Sequence, residues 1–127
     1  DIRAIWSESS LAEFKMVLQD EISRYGMPHD FGPAVSFAGQ ILTGINPAQL
    51  SPAYSLTNHQ HYYFTHGDKD QRILPRHFYF FKNYASTNNI SSDFWLVKDT
   101  HHVDAMLKYP DEYGSRMKKF FEKHLSN

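Results

Sequence analysis

The chain has 127 residues, a length that suits one compact domain able to bury a core. Its 13 basic and 14 acidic residues nearly balance and form no basic stripe, which argues against nucleic acid as a partner. Hydrophobic residues make up 41% of the chain, which argues against disorder, and no apolar run is long enough for a membrane span. The chain has no cysteine, which excludes disulfides, thiolate zinc sites and a cysteine nucleophile.

The amino terminus suggests a chain cut from something longer. It begins at Asp1 without an initiator Met or a signal-peptide pattern, and it enters an apolar run at once. We therefore expect part of a larger protein. Separately, we expect a location in the cytoplasm.

A strand and a helix open the chain. Residues 2–6 are mostly apolar, which is typical of a parallel strand buried on both faces. Apolar residues at helical spacing then predict a helix up to Tyr25, with Ser10 and Glu13 as a capping box and Gly26 as its terminator. A strand followed by a helix is the first half of a β-α-β unit.

A segment rich in proline and glycine, residues 27–56, comes next. We interpret it as an insertion made mainly of loops, with short helices over 34–42 and 47–50. Long irregular segments in compact domains are more often functional than idle, so we expect this insertion to contribute to function.

Two further strand and helix pairs complete the chain. Apolar and aromatic runs predict buried strands over 62–65 and 94–97. Pro75 opens the helix between them, and Pro110 opens a last helix whose acidic start and basic end suit the helix dipole. The order predicts an α/β fold over 1–127: one domain with a three-stranded parallel sheet flanked by helices.

Polar residues follow the second and third predicted strands. Gly67 is expected to let the backbone turn, and Asp68 and Asp70 come directly after it. His101 and His102 follow the next strand, and loops at the carboxyl ends of parallel strands converge on one crevice. We favour Asp70 with His102, because such a carboxylate fixes the imidazole tautomer and leaves one nitrogen free to take a proton.

Alternatives to this pair stay open on spacing alone. Asp68 and His101 compete for the same roles, and Asp70 could simply cap the next helix beside an exposed His102. Histidines near carboxylates also suggest zinc, the candidates being His59, His61, His66, His101 and His102. His59 and His61 share a strand face but lie at the start of that strand, away from Asp70. We predict neither a metal nor a cofactor.

The motifs resemble the carboxyl-terminal half of an α/β-hydrolase over nearly the whole chain. The run His66-Gly67-Asp68-Lys69-Asp70 looks like the family's strand-seven loop, where the last Asp of His-Gly-x-x-Asp is the triad acid. Residues 100–105 look like the loop that carries the triad histidine. Residues 1–10 are similar to the strand that follows the nucleophile's helix, and residues 27–56 stand where the family inserts its lid. The resemblance implies that Asp70 is the acid and His102 the base.

The nucleophile of that family is missing from the sequence. It sits in a Gly-x-Ser-x-Gly turn, which does not occur here, and Ser7, Ser9 and Ser10 lack the flanking glycines and lie on the wrong strand. The resemblance implies the carboxyl-terminal part of a serine hydrolase acting on ester, thioester or amide bonds of small molecules, and a chain that is inactive by itself.

Two further expectations concern partners. The chain is alternatively a non-catalytic binding domain that keeps the hydrolase scaffold and uses 27–56 as its contact surface. Residues 1–6 would form an open apolar edge without the strands that precede them in the family, so we expect self-association through this edge.

Overall fold

The computed structural model describes residues 2–28 and 30–125; Asp1, the first residue of the predicted edge, lies outside them. The strands are β1 (Ala4–Glu8), β2 (His61–Gly67) and β3 (Ser92–Val97). The helices are α1 (Phe14–Arg24), α2 (Phe31–Thr43), α3 (Arg76–Thr87), α4 (Ala105–Lys108) and α5 (Pro110–Leu125), with 3-10 turns over Pro47–Leu50 and Pro52–Ser55.

The strands form one parallel sheet in the order β1-β2-β3. The central strand β2 is almost completely buried, whereas β1 and β3 each pair with it on one side. The predicted α/β fold with a three-stranded parallel sheet is confirmed. Its first strand lies two residues later than expected, because Ala4 is the first residue with a partner, His61.

The chain packs as two compact units. The first joins the described parts of Asp1–Ser10 and Leu56–Asn127 and contains the sheet with α3, α4 and α5. The second is Leu11–Ser55, which contains α1 and α2. This second unit includes α1 as well as most of the expected insertion 27–56, and a single domain with a lid-like insertion stays a prediction.

Aromatic side chains build the core of the first unit. Since β2 sends alternate side chains to opposite faces, Phe64 stacks on Phe81 of α3 at 4.4 Å between ring centroids. Tyr63 stacks on Trp6 of β1 at 4.0 Å. The aromatic-rich stretches therefore lie in the core as predicted, except that Tyr79 is half exposed and Phe80 is only partly buried.

The expected cap of α1 is wrong, whereas its expected end is correct. Glu13 is the N-cap residue and makes no side-chain cap hydrogen bond, and the Ser10 hydroxyl lies 2.5 Å from that of Ser7 instead. Gly26 follows the helix with a φ of +67°, a left-handed conformation that suits a terminating glycine.

The segment 27–56 contains more helix than its composition predicts, so its description as mainly loops is wrong. Helix α2 has 13 residues and exceeds the predicted 34–42 at both ends. Pro33 is compatible with it because it stands in the first turn, where its missing N–H has no helical acceptor. Gly44 ends α2 at a φ of +70°, and the predicted turn at Pro47–Leu50 is confirmed.

The two later helices begin where proline predicts. Pro75 immediately precedes α3, and Pro110 is the first residue of α5. Asp111 and Glu112 lie in the first turn of α5 and Lys123 in its last, so its charges complement the helix dipole. Within 2–28 and 30–125, none of the helices combines the length and apolar character that crossing a membrane requires.

Candidate functional site

The candidate site lies where β2 and β3 end side by side. Gly67 and Val97, the last residues of these strands, are paired in the sheet. Beyond them, the N–H of Asp68 donates to the carbonyl of Val97 and the N–H of Lys69 to that of Thr100, both at 3.0 Å. These bonds hold the two following loops against each other.

Gly67 is required at this position by close packing. A Cβ there would lie 2.2 Å from the carbonyl oxygen of Thr100 and 2.6 Å from that of His101. The prediction that Gly67 supplies turning freedom is wrong, because its φ is not positive and the turn follows it at Asp68 and Lys69. The absent side chain lets the loop of His101 and His102 approach β2.

Asp70 and His102 form a hydrogen bond. Nδ1 of His102 lies 2.8 Å from Oδ2 of Asp70. Asp70 is buried, with 2% of its surface exposed, whereas the His102 side chain is 30% exposed. The other carboxylate oxygen, Oδ1, accepts the backbone N–H groups of Arg72 and Ile73, both at 2.9 Å. The expected meeting of Asp70 with His102 is therefore observed.

These contacts fix the charge of Asp70 and the nitrogen of His102 that carries the shared proton. Burial raises the pKa of Asp70, but hydrogen bonds from His102, Ile73 and Arg72 outweigh it and leave the pKa below its usual 3.8. The carboxylate is thus ionised at neutral pH and can only accept hydrogen bonds. Nδ1 of His102 must carry the shared proton, which leaves Nε2 as the nitrogen able to accept another.

His66 is a third member of the site. Its signal in the sequence is its place in the His-Gly-x-x-Asp pattern, four residues before Asp70. Its side chain is buried, and Nε2 lies 2.8 Å from the carbonyl of Ile73 and 3.4 Å from Oδ2 of Asp70. Burial lowers its pKa below 6.5, so the ring is neutral at pH 7 and donates from Nε2 to that carbonyl. By binding the carbonyl of Ile73, His66 stabilises the turn whose N–H groups bind Asp70.

Asp68 and His101, the competing candidates, tie the two loops together instead. Oδ1 of Asp68 accepts the N–H of Thr100 at 3.2 Å. Nδ1 of His101, an exposed residue, lies 3.1 Å from the carbonyl of Lys69. Neither residue makes the contact seen between Asp70 and His102.

The remaining histidine candidates lie away from this edge, since His61 is the first residue of β2 and His59 lies in the turn before it. Nδ1 of His61 is 2.7 Å from the hydroxyl of Ser91, and its ring stacks on His124 at 3.9 Å. Over the residues that the structure describes, no group of three or more histidines and carboxylates is arranged to hold a metal ion.

Several solved hydrolases contain a region similar to this chain. An acylaminoacyl peptidase from Pyrococcus horikoshii superposes with a TM-score of 0.70 at 17% identity, over 98% of this chain and 20% of its own. An esterase from Pyrococcus furiosus gives 0.64 at 17% identity, over 98% and 46%. An α/β-hydrolase from the metagenome of lagoon sediments at Mar Chica, Morocco, gives 0.54 at 16% identity, over 95% and 50%. No protein-family model and no curated protein matches the sequence.

The chain spans half or less of the length of these solved hydrolases. Identities this low establish the fold and nothing finer. The strand order and the parallel connections agree with the resemblance seen in the sequence. The chain therefore has the fold of the carboxyl-terminal portion of an α/β-hydrolase.

Proposed function

We propose that this chain supplies the acid, Asp70, and the base, His102, of a Ser-His-Asp triad in a serine hydrolase of ester, thioester or amide bonds. The observation that carries the proposal is the 2.8 Å hydrogen bond between Nδ1 of His102 and Oδ2 of Asp70. In this proposal the serine belongs to a further part of the protein, because the sequence of this chain has no Gly-x-Ser-x-Gly turn.

The chemistry follows from the proton positions. Nε2 of His102 takes the proton of the serine hydroxyl as the oxygen attacks the substrate carbonyl, and then gives it to the leaving group. In deacylation the same nitrogen takes a proton from water as the water attacks the acyl-enzyme, and it returns that proton to the serine oxygen when the acyl–oxygen bond breaks. Asp70 keeps its charge throughout, orients the ring and stabilises the imidazolium.

The similar structures support the choice of bond classes. One is named an esterase and another an acylaminoacyl peptidase, so ester and amide cleavage both occur on this fold. The chain alone is expected to be inert, because it lacks both the nucleophile turn and the amides that stabilise the oxyanion.

The test compares the complete protein with this chain. A fluorophosphonate probe, which reacts with activated serines, should label the complete protein and leave the 127-residue chain unlabelled. His102→Ala in the complete protein should abolish labelling and esterase activity, whereas His101→Ala, the matched control, should retain most of both. Full activity of the His102→Ala variant would refute the assignment.

One observation favours a second candidate function, that of a non-catalytic binding domain. Helix α2 carries no charged residue, and several of its large apolar side chains are at least half exposed, namely Phe31, Phe37, Ile41 and Leu42. An apolar surface of this kind commonly contacts another molecule. The sequence upstream of Asp1 in the parent protein decides between the two: a Gly-x-Ser-x-Gly turn favours the enzyme, and its absence favours binding.

A further inference from the structure

We infer that Glu8, the last residue of β1, and Ser9, which follows it, are positioning residues for His102. Ser9 binds the backbone of Val103, directly after this histidine, and Glu8 binds that of Ala105, three positions after it, so that together they position its ring. The inference rests on the proposed function of His102, but the contacts themselves lie wholly within the first compact unit.

Ser9 holds the residue next to His102. Its hydroxyl accepts the N–H of Val103 at 3.2 Å, and its own N–H donates to the carbonyl of Thr65 in the central strand at 3.0 Å. Val103 has a φ of +58°, a conformation that is costly for a β-branched side chain. Such a backbone persists only where surrounding contacts impose it, and the hydroxyl of Ser9 is one of them.

Glu8 holds the loop two residues further on. Oε1 accepts the N–H of Ala105 at 3.1 Å, the first residue of α4, while Asp104 makes no side-chain cap bond to this helix. Oε2 accepts the hydroxyl of Tyr113 at 2.9 Å, and the oxygen of that hydroxyl accepts Nε1–H of Trp6 at 2.9 Å. Burial and the hydrogen bond to Glu8 raise the pKa of Tyr113 to about 12, so the phenol keeps its proton.

His102 is thus held through two independent sets of contacts. Its ring is bound by Asp70 from the loop after β2, and its following backbone is bound by Glu8 and Ser9 at the end of β1. Misplacing a catalytic group by about 1 Å can cost roughly 100-fold in rate. Glu8 and Ser9 act on the loop and not on substrate, so they set the geometry without taking part in proton transfer.

The experiment uses this chain and four variants. Ser9→Gly removes the hydroxyl and suits the left-handed backbone of Ser9, whose φ is +49°, and Glu8→Ala removes both carboxylate contacts. Ser7→Ala is the matched control, since the Ser7 hydroxyl contacts that of Ser10 and not the loop. Circular dichroism confirms folding, and NMR records the Nδ1 proton of His102 and the hydrogen exchange of the two bound amides.

We expect about tenfold faster amide exchange at Val103 in Ser9→Gly and at Ala105 in Glu8→Ala, as for the loss of one hydrogen bond. The Nδ1 proton signal of His102 should weaken in each variant and stay unchanged in Ser7→Ala. Glu8→Gln keeps an acceptor for Ala105 and should restore the protection of that amide. Folded Glu8→Ala and Ser9→Gly variants with an unaltered His102 signal would overturn the inference.

Activity of the complete protein separates this inference from the proposed function. If both hold, Ser9→Gly lowers kcat about 10- to 100-fold with little change in KM. If the unaltered complete protein cleaves no ester, thioester or amide, the proposed function fails, yet the NMR changes in this chain still support the positioning of His102.

Discussion

Gly67 and Thr100 approach so closely that no side-chain atom fits between them, since a Cβ on Gly67 would stand 2.2 Å from the carbonyl oxygen of Thr100. Gly67→Ala must push back the loop that carries His102. We expect the free energy of unfolding to fall by about 3 kcal/mol, the upper end of the range that overpacked cores show. The hydrogen bond between Asp70 and His102 should also weaken.

Gly114→Ala is the matched control. Nothing lies within 4 Å of a Cβ at Gly114, which is in the interior of α5. Alanine should therefore stabilise that helix by about 0.5 to 1 kcal/mol. Denaturant unfolding measures both variants, and a Gly67→Ala protein as stable as the unaltered chain would contradict the close contact.

Asp70→Asn should reverse the tautomer of His102. The two backbone N–H groups of Arg72 and Ile73 can still bind the amide oxygen, so the turn should keep its shape. The amide nitrogen then faces Nδ1 of His102 and donates to it, which moves the ring proton to Nε2. Nitrogen-15 NMR of the ring in this chain reports the change directly.

If the proposed function holds, the same variant should inactivate the complete protein. An imidazole with its proton on Nε2 cannot accept one from the serine, and a tautomer error of this kind costs about 10⁴-fold in kcat. Asp68→Asn is the control, because Asp68 contacts the N–H of Thr100 and not the histidine. Comparable loss in both variants would indicate a structural role for the acidic loop and no special role for Asp70.

Acid should destabilise the fold in two stages. Burial lowers the pKa of His66 below 6.5, and the hydrogen bonds to the buried Asp70 leave its pKa below 3.8. In both cases the unfolded chain binds a proton at a higher pH than the folded chain does, so acid favours unfolding. Stability should decline first as the pH falls below 6.5 through His66, and again below 3.8 through Asp70.

His66→Gln tests the first stage. Glutamine can still donate to the carbonyl of Ile73 but does not titrate, so the decline in Tm between pH 7 and 5 should flatten. Partial burial and the neighbouring His61 and Lys123 also lower the pKa of His124, which makes His124→Gln the control. That control should remove less of the decline, since His124 lies near the surface. An undiminished decline in His66→Gln would show that another group is responsible.

The sheet and the pair at its edge could be predicted because both follow from local signals. Apolar runs predict β2 and β3. Because loops after parallel strands converge, Asp70 and His102 are expected to meet although 32 positions separate them in the sequence. The strand order predicts that the two loops meet, and the resemblance to the hydrolase pattern points to Asp70 and His102 within them and not to Asp68 and His101. The catalytic roles of these residues stay a prediction.

Contacts between side chains and distant backbone could not be predicted in this way. The N–H of Phe14, the first residue of α1, is 3.2 Å from the hydroxyl of Ser51, a residue 37 positions away, and not from Ser10 as a local capping box requires. Glu8 likewise reaches Ala105 across 97 positions. No sequence pattern encodes such pairs, because tertiary packing decides which polar group meets which helix end.

The outer edge of β1 carries the last prediction, self-association. The carbonyl of Arg3 accepts the N–H of His61, and the N–H of Ser9 donates to Thr65. Alternate residues of a parallel strand direct their backbone groups to opposite sides, so Ala4 points its N–H and carbonyl away from β2. Within the part of the chain that the structure describes, no strand pairs with this edge. Since open edges pair readily with other chains, we propose that two copies associate here.

Ala4→Pro tests this edge with little effect on the sheet itself. Proline removes one N–H from the open side of β1 and none from the ladder with β2, a position that tolerates it. Ala4→Val retains the N–H and is the matched control. Sedimentation velocity over rising protein concentration should show a dimer for the unaltered chain and for Ala4→Val, and a monomer for Ala4→Pro. A monomer at every concentration in all three proteins would refute association through β1, and a dimer in all three would place the interface elsewhere.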